Sequence, residues 1–456
     1  MKRTIIKETL KRIGDRVLIK GWVHNIRSHG KIVFIDLRDQ SGIIQVVFKT
    51  DTVKDIRPEW VVAIEGIVNE RPQNMINPDI ETGTVEIKAE SIEVLSEAKT
   101  IPFEIDSPGQ DINEELRLKH RYVDLRRERL QRNIRKRFEA LQFFRNYLKE
   151  ESFTEIETPI LTKSTPEGAR DFLVPYRNSL GEFYALPQSP QQYKQLLMVS
   201  GFEKYFQIAR CFRDEDSRAN RQPEFTQLDM EMAFMDQEEI MEATEKMVIE
   251  MITKVFPDKK IMQKPFPIMT YREAMDKYQT DKPDIRKDKD ELAFLWVVDF
   301  PMFEWSEKDK RWEAMHNPFS RTLETDPEKI KGDPKSVKAF QYDLVLNGEE
   351  VGGGGLRSYN RELLESVFEV LGHKKENIQS NFGHMLDAFD YGVPPHGGIA
   401  LGFDRFISIL LDEDSIREVI AFPKAGNARD LMMDAPSKTD DQQLKELNLK
   451  IIKDEK

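Results

Sequence analysis

The sequence is poor in cysteine and in long apolar runs. Its 456 residues include one cysteine, Cys211, which excludes a disulfide within the chain and is typical of a protein in a reducing compartment. No segment approaches the ~18 consecutive apolar residues of a membrane span, and the N-terminal segment is charged throughout, unlike a signal peptide. We therefore expect a cytoplasmic protein without membrane association.

Positive charge is outnumbered by negative charge overall but is locally concentrated. The formal net charge is −12, which argues against nonspecific binding to nucleic acid. Residues 1–31 nevertheless contain nine Lys and Arg against two acidic residues, and residues 117–137 contain ten against two. Such segments on an acidic protein indicate either a polyanion bound at chosen places or ordinary solvated helix faces.

Five short strand-like runs separated by turns occupy residues 15–98. This pattern predicts a five-stranded β-barrel of the oligonucleotide-binding (OB) type within residues 1–98. The aromatic residues Trp22, Phe34 and Phe48 are candidates for base stacking, although core packing is an equally good interpretation for each.

The rest of the chain has a different pattern. Prolines, a glycine and polar residues predict a linker within 99–130. Helices and strands then alternate irregularly over 131–456, which indicates an α+β domain with an antiparallel sheet flanked by helices.

The segment QSPQQYKQ combines helix-start signals with a cation. Ser189 suits the N-cap and Pro190 the first helical position, which places Gln191 and Lys194 on one face near the helix N-terminus. A lysine there can bind an anion, whereas a solvated lysine is the simpler interpretation.

The segment CFRDEDSRANRQPEFTQLDMEMAF contains a charged loop between two strand-like runs. If the two strands pair, Arg213 shares a face with Phe225, Gln227 and Asp229. This combination suits a nucleotide together with an amine, while the alternative is an edge strand with a solvated face.

The segment AFQYDLVLNGEEVGGGGLRS predicts a hairpin at Asn347-Gly348. Its register places Asp343 diagonal to Glu350, where two carboxylates can share a magnesium ion. The four glycines at 352–355 indicate a close approach to the strand backbone, unless this is only a glycine-rich surface hairpin.

Two arginines follow glycine-rich segments. Arg357 comes directly after the four glycines, and Arg405 lies in the first turn of the helix predicted after GGIALGFD. A guanidinium beside a helix N-terminus favours phosphate.

Together these segments resemble the class II aminoacyl-tRNA synthetases, most closely the bacterial-type aspartyl-tRNA synthetase family, over nearly the whole chain. FTEIETPILTKSTPEGARDFLVP is similar to the dimer-interface motif and mobile substrate loop, FRDEDSRANRQPEFTQLDMEM to the second motif, and GIALGFDR to the third. QSPQQYKQ and GEEVGGGGLR resemble the aspartate and metal segments. The resemblance implies a homodimer that activates L-aspartate with ATP and Mg²⁺ and transfers it to the 3′ end of tRNA(Asp).

The resemblance also implies roles for individual residues. The amino acid would be bound by Glu167, Ser189, Gln191, Lys194, Arg213, Gln227, Asp229, His316 and Arg357. ATP would be bound by Arg213, Glu215, Gln222, Phe225, Glu350, Gly402, Phe403, Asp404 and Arg405, with Arg213, Glu350 and Arg405 as the catalytic residues. Magnesium would be held by Asp343 and Glu350, and the tRNA would be read by Arg27, His29, Phe34, Gln45 and Gly83.

Charge supports aspartate as the amino acid. Two buried cations, Lys194 and Arg357, would lose charge-assisted hydrogen bonds if they faced the neutral amide of asparagine. We expect catalysis by positioning and charge neutralisation without a protein nucleophile, so Cys211 is assigned no chemistry.

Three departures from the family pattern matter. KPDIRKDKDELAFLWVVDF crosses in a few residues the point where bacterial members carry a large inserted domain. Asn317 stands where the family usually has a second histidine, and His29 stands where a leucine accompanies strict tRNA choice. With Gly83, which we expect to lie near it, His29 suggests that both tRNA(Asp) and tRNA(Asn) are charged. The alternatives are a catalytically silent RNA-binding relative and a synthetase for asparagine or lysine.

Overall fold

The computed structural model describes residues 1–49, 53, 55–164 and 168–452. The chain divides into two compact units, Met1–Ile105 and Asp106–Lys456. The predicted linker, 99–130, extends beyond this division. Arg121 and Arg127, both within that range, are 1% exposed and each lie 2.7 Å from a carboxylate oxygen of Asp124. Arg121 also donates to the backbone carbonyls of Arg417 and Ala421, over 2.7 and 3.0 Å, which joins this segment to the second unit.

The first unit contains a closed barrel with the strand order β1-β2-β3-β5-β4. Its strands are β1 (Arg16–His29), β2 (Ile32–Asp39), β3 (Gly42–Lys49), β4 (Val61–Glu70) and β5 (Val85–Ser96). The five-stranded OB barrel predicted from the sequence is therefore confirmed. Alternation buries one face of β1, β2 and β3 over most of their length, and Phe48, at 3% exposure, is a core residue that cannot stack on a base. Trp22 and Phe34 are half-buried on the outer face.

An eight-stranded sheet with the order β12-β14-β17-β18-β19-β10-β9-β6 forms the centre of the second unit. Its internal pairs are antiparallel, as predicted, and only the edge strands β12 and β6 pair in parallel. The strands of this unit are β6 (Thr154–Glu155), β7 (Leu173–Pro175), β8 (Phe183–Ala185), β9 (Lys204–Phe212), β10 (Glu224–Ala233), β11 (Lys260–Ile261), β12 (Ile268–Thr270), β13 (Glu291–Leu292), β14 (Phe294–Val298), β15 (Phe303–Ser306), β16 (Arg311–Ala314), β17 (Gln341–Leu346), β18 (Glu349–Leu356) and β19 (His396–Gly402).

Helices flank this sheet. They are α1 (Glu114–Lys119), α2 (Arg121–Asp124), α3 (Glu128–Glu150), α4 (Gln191–Val199), α5 (Gln237–Val255), α6 (Tyr271–Tyr278), α7 (Pro327–Gly332), α8 (Arg361–Val370), α9 (Lys375–Phe389), α10 (Phe403–Leu410) and α11 (Asp441–Glu446). Short 3₁₀ helices span Ile6–Lys11, Gln73–Met75, Pro334–Ser336 and Ile416–Glu418. None of the helices in the described ranges is long and apolar enough to cross a membrane.

The two faces of the large sheet have different environments. Leu228, Met230 and Met232 of β10 point into the main apolar core together with side chains of α3, α5 and α10. The alternate residues of β10, including Gln227 and Asp229, face the opposite side, where they line a cavity. The polar face of β10, which the alternating sequence predicted, therefore lines a cavity, and β10 is not an edge strand.

Candidate active site

The cavity on the polar face of the sheet has a volume of about 330 Å³. It brings together most of the residues that the resemblance assigns to the amino acid and to ATP. Those that line it are Ser189, Gln191, Lys194, Arg213, Glu215, Gln222, Phe225, Gln227, Asp229, His316, Glu350, Arg357, Gly402, Asp404 and Arg405. Glu167 lies outside the described residues. Lys194, Arg213 and Arg357 therefore converge on one cavity.

The pairing of β9 and β10 builds the floor of the cavity. Phe225 lies opposite Cys211 and Asp229 lies opposite Gln207, so the two strands pair with the faces that the alternation predicts on the same side. Just after β9, the guanidinium carbon of Arg213 lies 5.1 Å from the centre of the Phe225 ring. This close approach gives a cation–π contact, so the aromatic and the arginine form one surface.

The first turn of α4 supplies Lys194. Pro190 occupies the N-cap rather than the first helical position, so Ser189 lies one residue before the cap. Its hydroxyl still accepts a hydrogen bond from the backbone N–H of Gln191 at 3.3 Å. Lys194 is buried and its Nζ lies 2.6 Å from Asp229 Oδ1 and 3.0 Å from Glu231 Oε2. The sequence prediction placed Lys194 and Asp229 in the same site but missed that Lys194 pairs with Asp229 and with Glu231.

Glu231 links Lys194 to Arg357. The Nε atom of Arg357 donates to Glu231 Oε1 over 2.9 Å, and Arg357 itself is 3% exposed. Burial by itself would raise the pKa of Glu231, but Arg357 and Lys194 outweigh it and lower the pKa to about 2. The two cations are therefore matched by two carboxylates before any ligand binds, a pairing that the sequence did not predict.

Asp229 has an unused oxygen. Its Oδ2 atom is buried and makes no hydrogen bond with the described residues. Burial raises the pKa of Asp229, and Lys194 opposes this shift. A cationic ligand group placed beside Oδ2 would supply the missing partner.

The hairpin between β17 and β18 carries the two carboxylates predicted to bind magnesium. Asn347 and Gly348 both have positive φ, 53° and 83°, as the two-residue turn requires, and the predicted register of Glu350 opposite Val345 is observed. A Cβ atom at Gly353 would lie 3.4 Å from Asp343 Oδ1 and 3.4 Å from Glu350 Oε1. The glycine thus leaves the space between the two carboxylates open.

Asp343 is buried close to Glu350 and His316. Burial and the nearby Glu350 raise its pKa to about 7, although His316, whose Nε2 lies 3.7 Å from Asp343 Oδ2, acts in the opposite direction. No group of three or more His, Cys, Asp or Glu side chains in the described part of the chain is arranged to hold a metal by itself. Two carboxylates with room beside them suit magnesium, which keeps several waters and binds phosphate oxygens as well.

The start of α10 lies at the other end of the cavity. Arg405 is in the first helical turn, as predicted, and its guanidinium donates to the backbone carbonyl of Glu350. Its Nε atom has no hydrogen-bond partner among the described residues. Since the first turn of a helix attracts anions, this end of the cavity suits phosphate.

Three residues predicted to bind ATP have structural partners. Phe403 is fully buried in the apolar core, so its side chain does not face the cavity. Asp404 lines the cavity, but its Oδ2 accepts the backbone N–H of Thr226 at 2.8 Å and its Oδ1 lies 2.5 Å from Arg137. Gln222 both donates to and accepts from the backbone of Lys424, over 3.1 and 2.7 Å. These contacts hold the walls of the cavity.

The sequence prediction missed several lining residues. Asn220, Arg221 and Gln341 face the cavity, and Glu215 lies 3.8 Å from Arg221 across the loop after β9. Asn220 and Arg221 lie in the charged loop singled out above, but no spacing rule distinguishes them from its other polar residues. Gln341 donates to Asp343 Oδ1 over 3.0 Å, a contact that alternation along β17 could have suggested.

Most of the predicted tRNA-reading residues form one cluster on the outside of the barrel. Arg27 lies opposite Phe34 and donates to Asp36 at 3.0 Å and to Gln45 at 3.4 Å. The ring centres of His29 and Phe34 are 6.2 Å apart in an edge-to-face arrangement. These side chains present an aromatic surface with polar groups beside it, which suits an unstacked base.

Gly83 does not belong to this cluster. Thr82 beside it donates to the carbonyl of Ile43 near the start of β3, whereas His29 pairs with Ile32, which lies opposite Lys49 at the end of that strand. The expected proximity of Gly83 and His29 is therefore wrong. A Cβ at Gly83 would lie 1.7 Å from the carbonyl oxygen of Asn77, so this position needs glycine to close its loop.

Comparison with known families agrees with this architecture. The OB-fold nucleic acid binding domain matches residues 17–95, and the tRNA synthetases of class II (D, K and N) match residues 113–426. The chain belongs to the class II tRNA synthetases. ATP is accordingly a substrate. The barrel of the first unit corresponds to the matched OB-fold domain, and the second unit contains the matched synthetase domain.

Similar curated proteins include several bacterial synthetases. The aspartate–tRNA(Asp/Asn) ligase of Natranaerobius thermophilus is 40% identical and covers 99% of this chain and 100% of its own length. The aspartate–tRNA ligase of Oceanobacillus iheyensis is 41% identical, with 98% of both chains covered. The first alignment extends over 588 positions, whereas this chain has 456 residues, so that relative contains segments absent here. This agrees with the missing insertion inferred from the sequence.

A solved structure shows a similar fold. The asparaginyl-tRNA synthetase from Pyrococcus horikoshii, complexed with asparaginyl-adenylate, matches with a TM-score of 0.74 and 25% identity. The match covers 93% of this chain and 98% of that chain. Class II synthetases that activate different amino acids therefore share this architecture, so the side chains in the cavity decide which amino acid is bound.

Proposed function

We propose that the protein is an aspartate–tRNA ligase that forms aspartyl-adenylate from L-aspartate and ATP and transfers the aspartyl group to the 3′ end of tRNA(Asp). The observation that carries this proposal is the joint placement of Lys194, Asp229 and Arg357 in one cavity with Arg213. The unused Oδ2 of Asp229 suits the substrate ammonium, and Lys194 with Arg357 suits the side-chain carboxylate.

Charge matching supports aspartate even though both cations already have partners. Lys194, Arg357, Asp229 and Glu231 together are neutral when all are ionised, and an ammonium and a side-chain carboxylate add one charge of each sign. Lys194 contacts both carboxylates and has a third hydrogen to donate. An aspartate bound in this way would keep every buried charge paired.

In the first step, the α-carboxylate of aspartate would attack the α-phosphorus of ATP and pyrophosphate would leave. Arg213 would neutralise charge on the α-phosphate, Arg405 would bind the γ-phosphate, and Phe225 would stack on adenine, with Glu215 beside it. Asp343 and Glu350 would hold Mg²⁺, which when bound neutralises phosphate charge. In the second step, the tRNA 3′-hydroxyl would attack the adenylate carbonyl and release AMP.

The barrel would read the anticodon through Arg27, His29, Phe34 and Gln45. Two observations favour the charging of tRNA(Asn) as well as tRNA(Asp). His29 replaces the leucine that accompanies strict choice in the resembling enzymes, and one relative is named as an aspartate–tRNA(Asp/Asn) ligase. We further propose that the enzyme works as a homodimer in the cytoplasm, where tRNA and ATP are present.

Pyrophosphate exchange with each amino acid tests this proposal. We expect aspartate to support exchange and asparagine and lysine to fail. Exchange with asparagine but not aspartate would support the asparaginyl alternative, which the fold match to the Pyrococcus horikoshii enzyme keeps open. No exchange with any amino acid would support a silent relative. Charging of separately purified tRNA(Asp) and tRNA(Asn) then decides the tRNA range.

A further inference from the structure

A chain of hydrogen-bonded side chains borders the amino-acid end of the cavity. It runs from Asn317 through Gln191 and Gln195 to His396, with donor–acceptor distances of 3.0, 3.0 and 3.3 Å. Gln191 and Asn317 line the cavity, whereas Gln195 and His396 are 0% and 2% exposed. We call these four residues the amide relay.

Backbone groups fix the direction of the amide relay at both ends. The N–H of Phe319 donates to Asn317 Oδ1 over 2.8 Å, so Asn317 Nδ2 is the atom that donates to Gln191. At the other end, His396 Nδ1 lies 2.8 Å from the carbonyl oxygen of Pro394, so Nδ1 carries a proton. A backbone N–H can only donate and a carbonyl can only accept, so neither end can reverse by itself.

A neutral His396 completes this direction. With the proton on Nδ1, its Nε2 atom accepts the hydrogen bond from Gln195 Nε2. Burial lowers the pKa of His396, the facing Glu231 opposes this, and Arg357 and Lys194 reinforce it. The environment therefore favours the form that the amide relay needs.

Gln191 is the member of the relay placed to meet the amino acid. Its carbonyl accepts from Asn317, and its amide nitrogen donates one hydrogen to Gln195, so one N–H remains for a ligand. Lys194 and Arg357 in the same cavity are also donors. A carboxylate offers acceptors to all three groups. Once the substrate ammonium occupies Asp229 Oδ2, the NH₂ of an asparagine side chain would meet these same donors without an acceptor.

We propose that Asn317, Gln195 and His396 are positioning residues that hold the Gln191 amide in one orientation, and that this orientation favours a carboxylate over an amide side chain. The proposal deepens the proposed aspartate activation and rests on it. It assigns a role to Asn317, the position that departs from the family pattern, and to two buried residues that do not line the cavity.

The substitution Asn317→Asp tests the direction of the relay. The introduced carboxylate still accepts from the N–H of Phe319 but cannot donate to Gln191, so both glutamine amides turn over and His396 takes up a second proton. In pyrophosphate exchange, we expect the preference for aspartate over asparagine in kcat/KM to fall about tenfold. The loss should arise from KM for aspartate, with KM for ATP unchanged.

Asn317→His is the matched control. One ring nitrogen can accept from the N–H of Phe319 and the other can donate to Gln191, so the imidazole preserves the direction of the relay. We expect the preference for aspartate to stay within about threefold of the unchanged protein. An equal loss in both variants would overturn the proposal, because the direction of the hydrogen bonds would then be irrelevant.

The protonation state of His396 in the ligand-free, full-length protein tests the amide relay independently of the proposed function. With isotope-labelled histidine, we expect His396 to be the neutral Nδ1–H tautomer in the unchanged protein and an imidazolium in Asn317→Asp at pH 7. Gln195→Glu, which removes the donor to His396 Nε2, should also give the imidazolium if Asn317→Asp does not fold. An unchanged His396 signal in the folded variant overturns the relay, whereas a lack of aspartate-dependent exchange in the unchanged protein overturns the proposed function.

Discussion

The two ends of the cavity bind charge in different ways. At the amino-acid end, Lys194, Asp229, Glu231 and Arg357 are at most 3% exposed and already form ion pairs with one another. At the nucleotide end, Arg213 and Arg405 are half-buried, and each has an Nε atom without a hydrogen-bond partner in the described part of the chain.

This difference indicates two strategies of recognition. The buried ion pairs hold the amino-acid end in one arrangement, so a ligand meets fixed donors and little reorganisation is needed. Under the proposed function, the nucleotide end would gain new ion pairs when a polyanion binds. Its charged loop is open to solvent, as the exposure of Glu215 and Arg221 shows. Substitutions at the first end should therefore alter folding and substrate choice together, while those at the second should alter mainly nucleotide binding.

The largest effect is expected for Arg357→Met. Removal of this guanidinium leaves the fully buried Glu231 with only Lys194 as a cation, so the free energy of unfolding should fall by about 3 kcal/mol. Aspartate-dependent pyrophosphate exchange should fall about a thousandfold, since the side-chain carboxylate loses a charged partner. Denaturant titration and exchange kinetics measure the two effects.

Arg361→Met provides the control for this prediction. Arg361 follows four residues later and pairs with three solvent-accessible carboxylates, those of Glu365 at 3.1 Å, Asp387 at 3.4 Å and Asp390 at 2.7 Å. Its loss should change the unfolding free energy by less than about 0.5 kcal/mol and leave exchange intact. Similar losses in the two variants would contradict the contrast between a buried and an exposed ion pair.

The substitution Asp343→Asn should lower pyrophosphate exchange about a hundredfold and abolish the stabilisation of the folded protein by magnesium with ATP.

Asp343→Asn should also change how the free energy of unfolding depends on pH. The pKa of Asp343 is raised to about 7, above its ordinary value, by burial and by Glu350. The folded state therefore binds more protons than the unfolded state between about pH 4 and 7, so stability falls as pH rises through this range.

Asp343→Asn should remove that fall, and the unfolding free energy of the variant should be flatter from pH 4 to 7 than that of the unchanged protein. Chemical denaturation at several pH values, without magnesium, measures this difference. Parallel pH profiles for the two proteins would show that Asp343 does not titrate in this window.

A smaller effect is expected for Phe225→Leu at the nucleotide end. The loss of adenine stacking should raise KM for ATP about tenfold and leave KM for aspartate unchanged, because base stacking contributes about 1–3 kcal/mol. Phe234→Leu, at an exposed position just after β10, is the matched control. A comparable rise in KM for aspartate would contradict the separation of the two ends.

The smallest effect is expected in the barrel. His29→Leu should lower charging of tRNA(Asn) relative to tRNA(Asp) about fivefold, the size of one weak base contact. Pyrophosphate exchange, which needs no tRNA, should remain unchanged. If the ratio of the two charging rates does not move, His29 has no part in the choice of tRNA.

Much of the fold followed from local patterns in the sequence. Alternation along β10 separated Leu228 from Gln227 and Asp229, and the Asn347-Gly348 turn gave the pairing of Val345 with Glu350. These predictions held because pleat and turn geometry act over a few residues. A register shift between Leu344 and Val345, which the sequence did not predict, places Asp343 opposite Gly353. The roles of Phe48 and Phe403 as core residues did not follow, since burial depends on how distant elements pack.

The partners of the buried charges could not be predicted for the same reason. Glu231 lies two residues from Asp229 in a run of alternating residues, and nothing in that run distinguishes a carboxylate that binds a ligand from one that holds a lysine and an arginine. Lys194, Glu231 and Arg357 come from α4, β10 and the residue after β18, so only their assembly reveals the pairing.

The sequence by itself determined the barrel, the two-faced central strands, the hairpin turn with the pairs beside it and the residue types gathered at the cavity, because these depend on periodicity and turn chemistry along short stretches. Only the tertiary structure decided which charges neutralise each other, which amide faces which, and that Gly83 lies away from His29. Those features depend on distances between segments far apart in the chain, and Coulomb and hydrogen-bond energies are set by such distances.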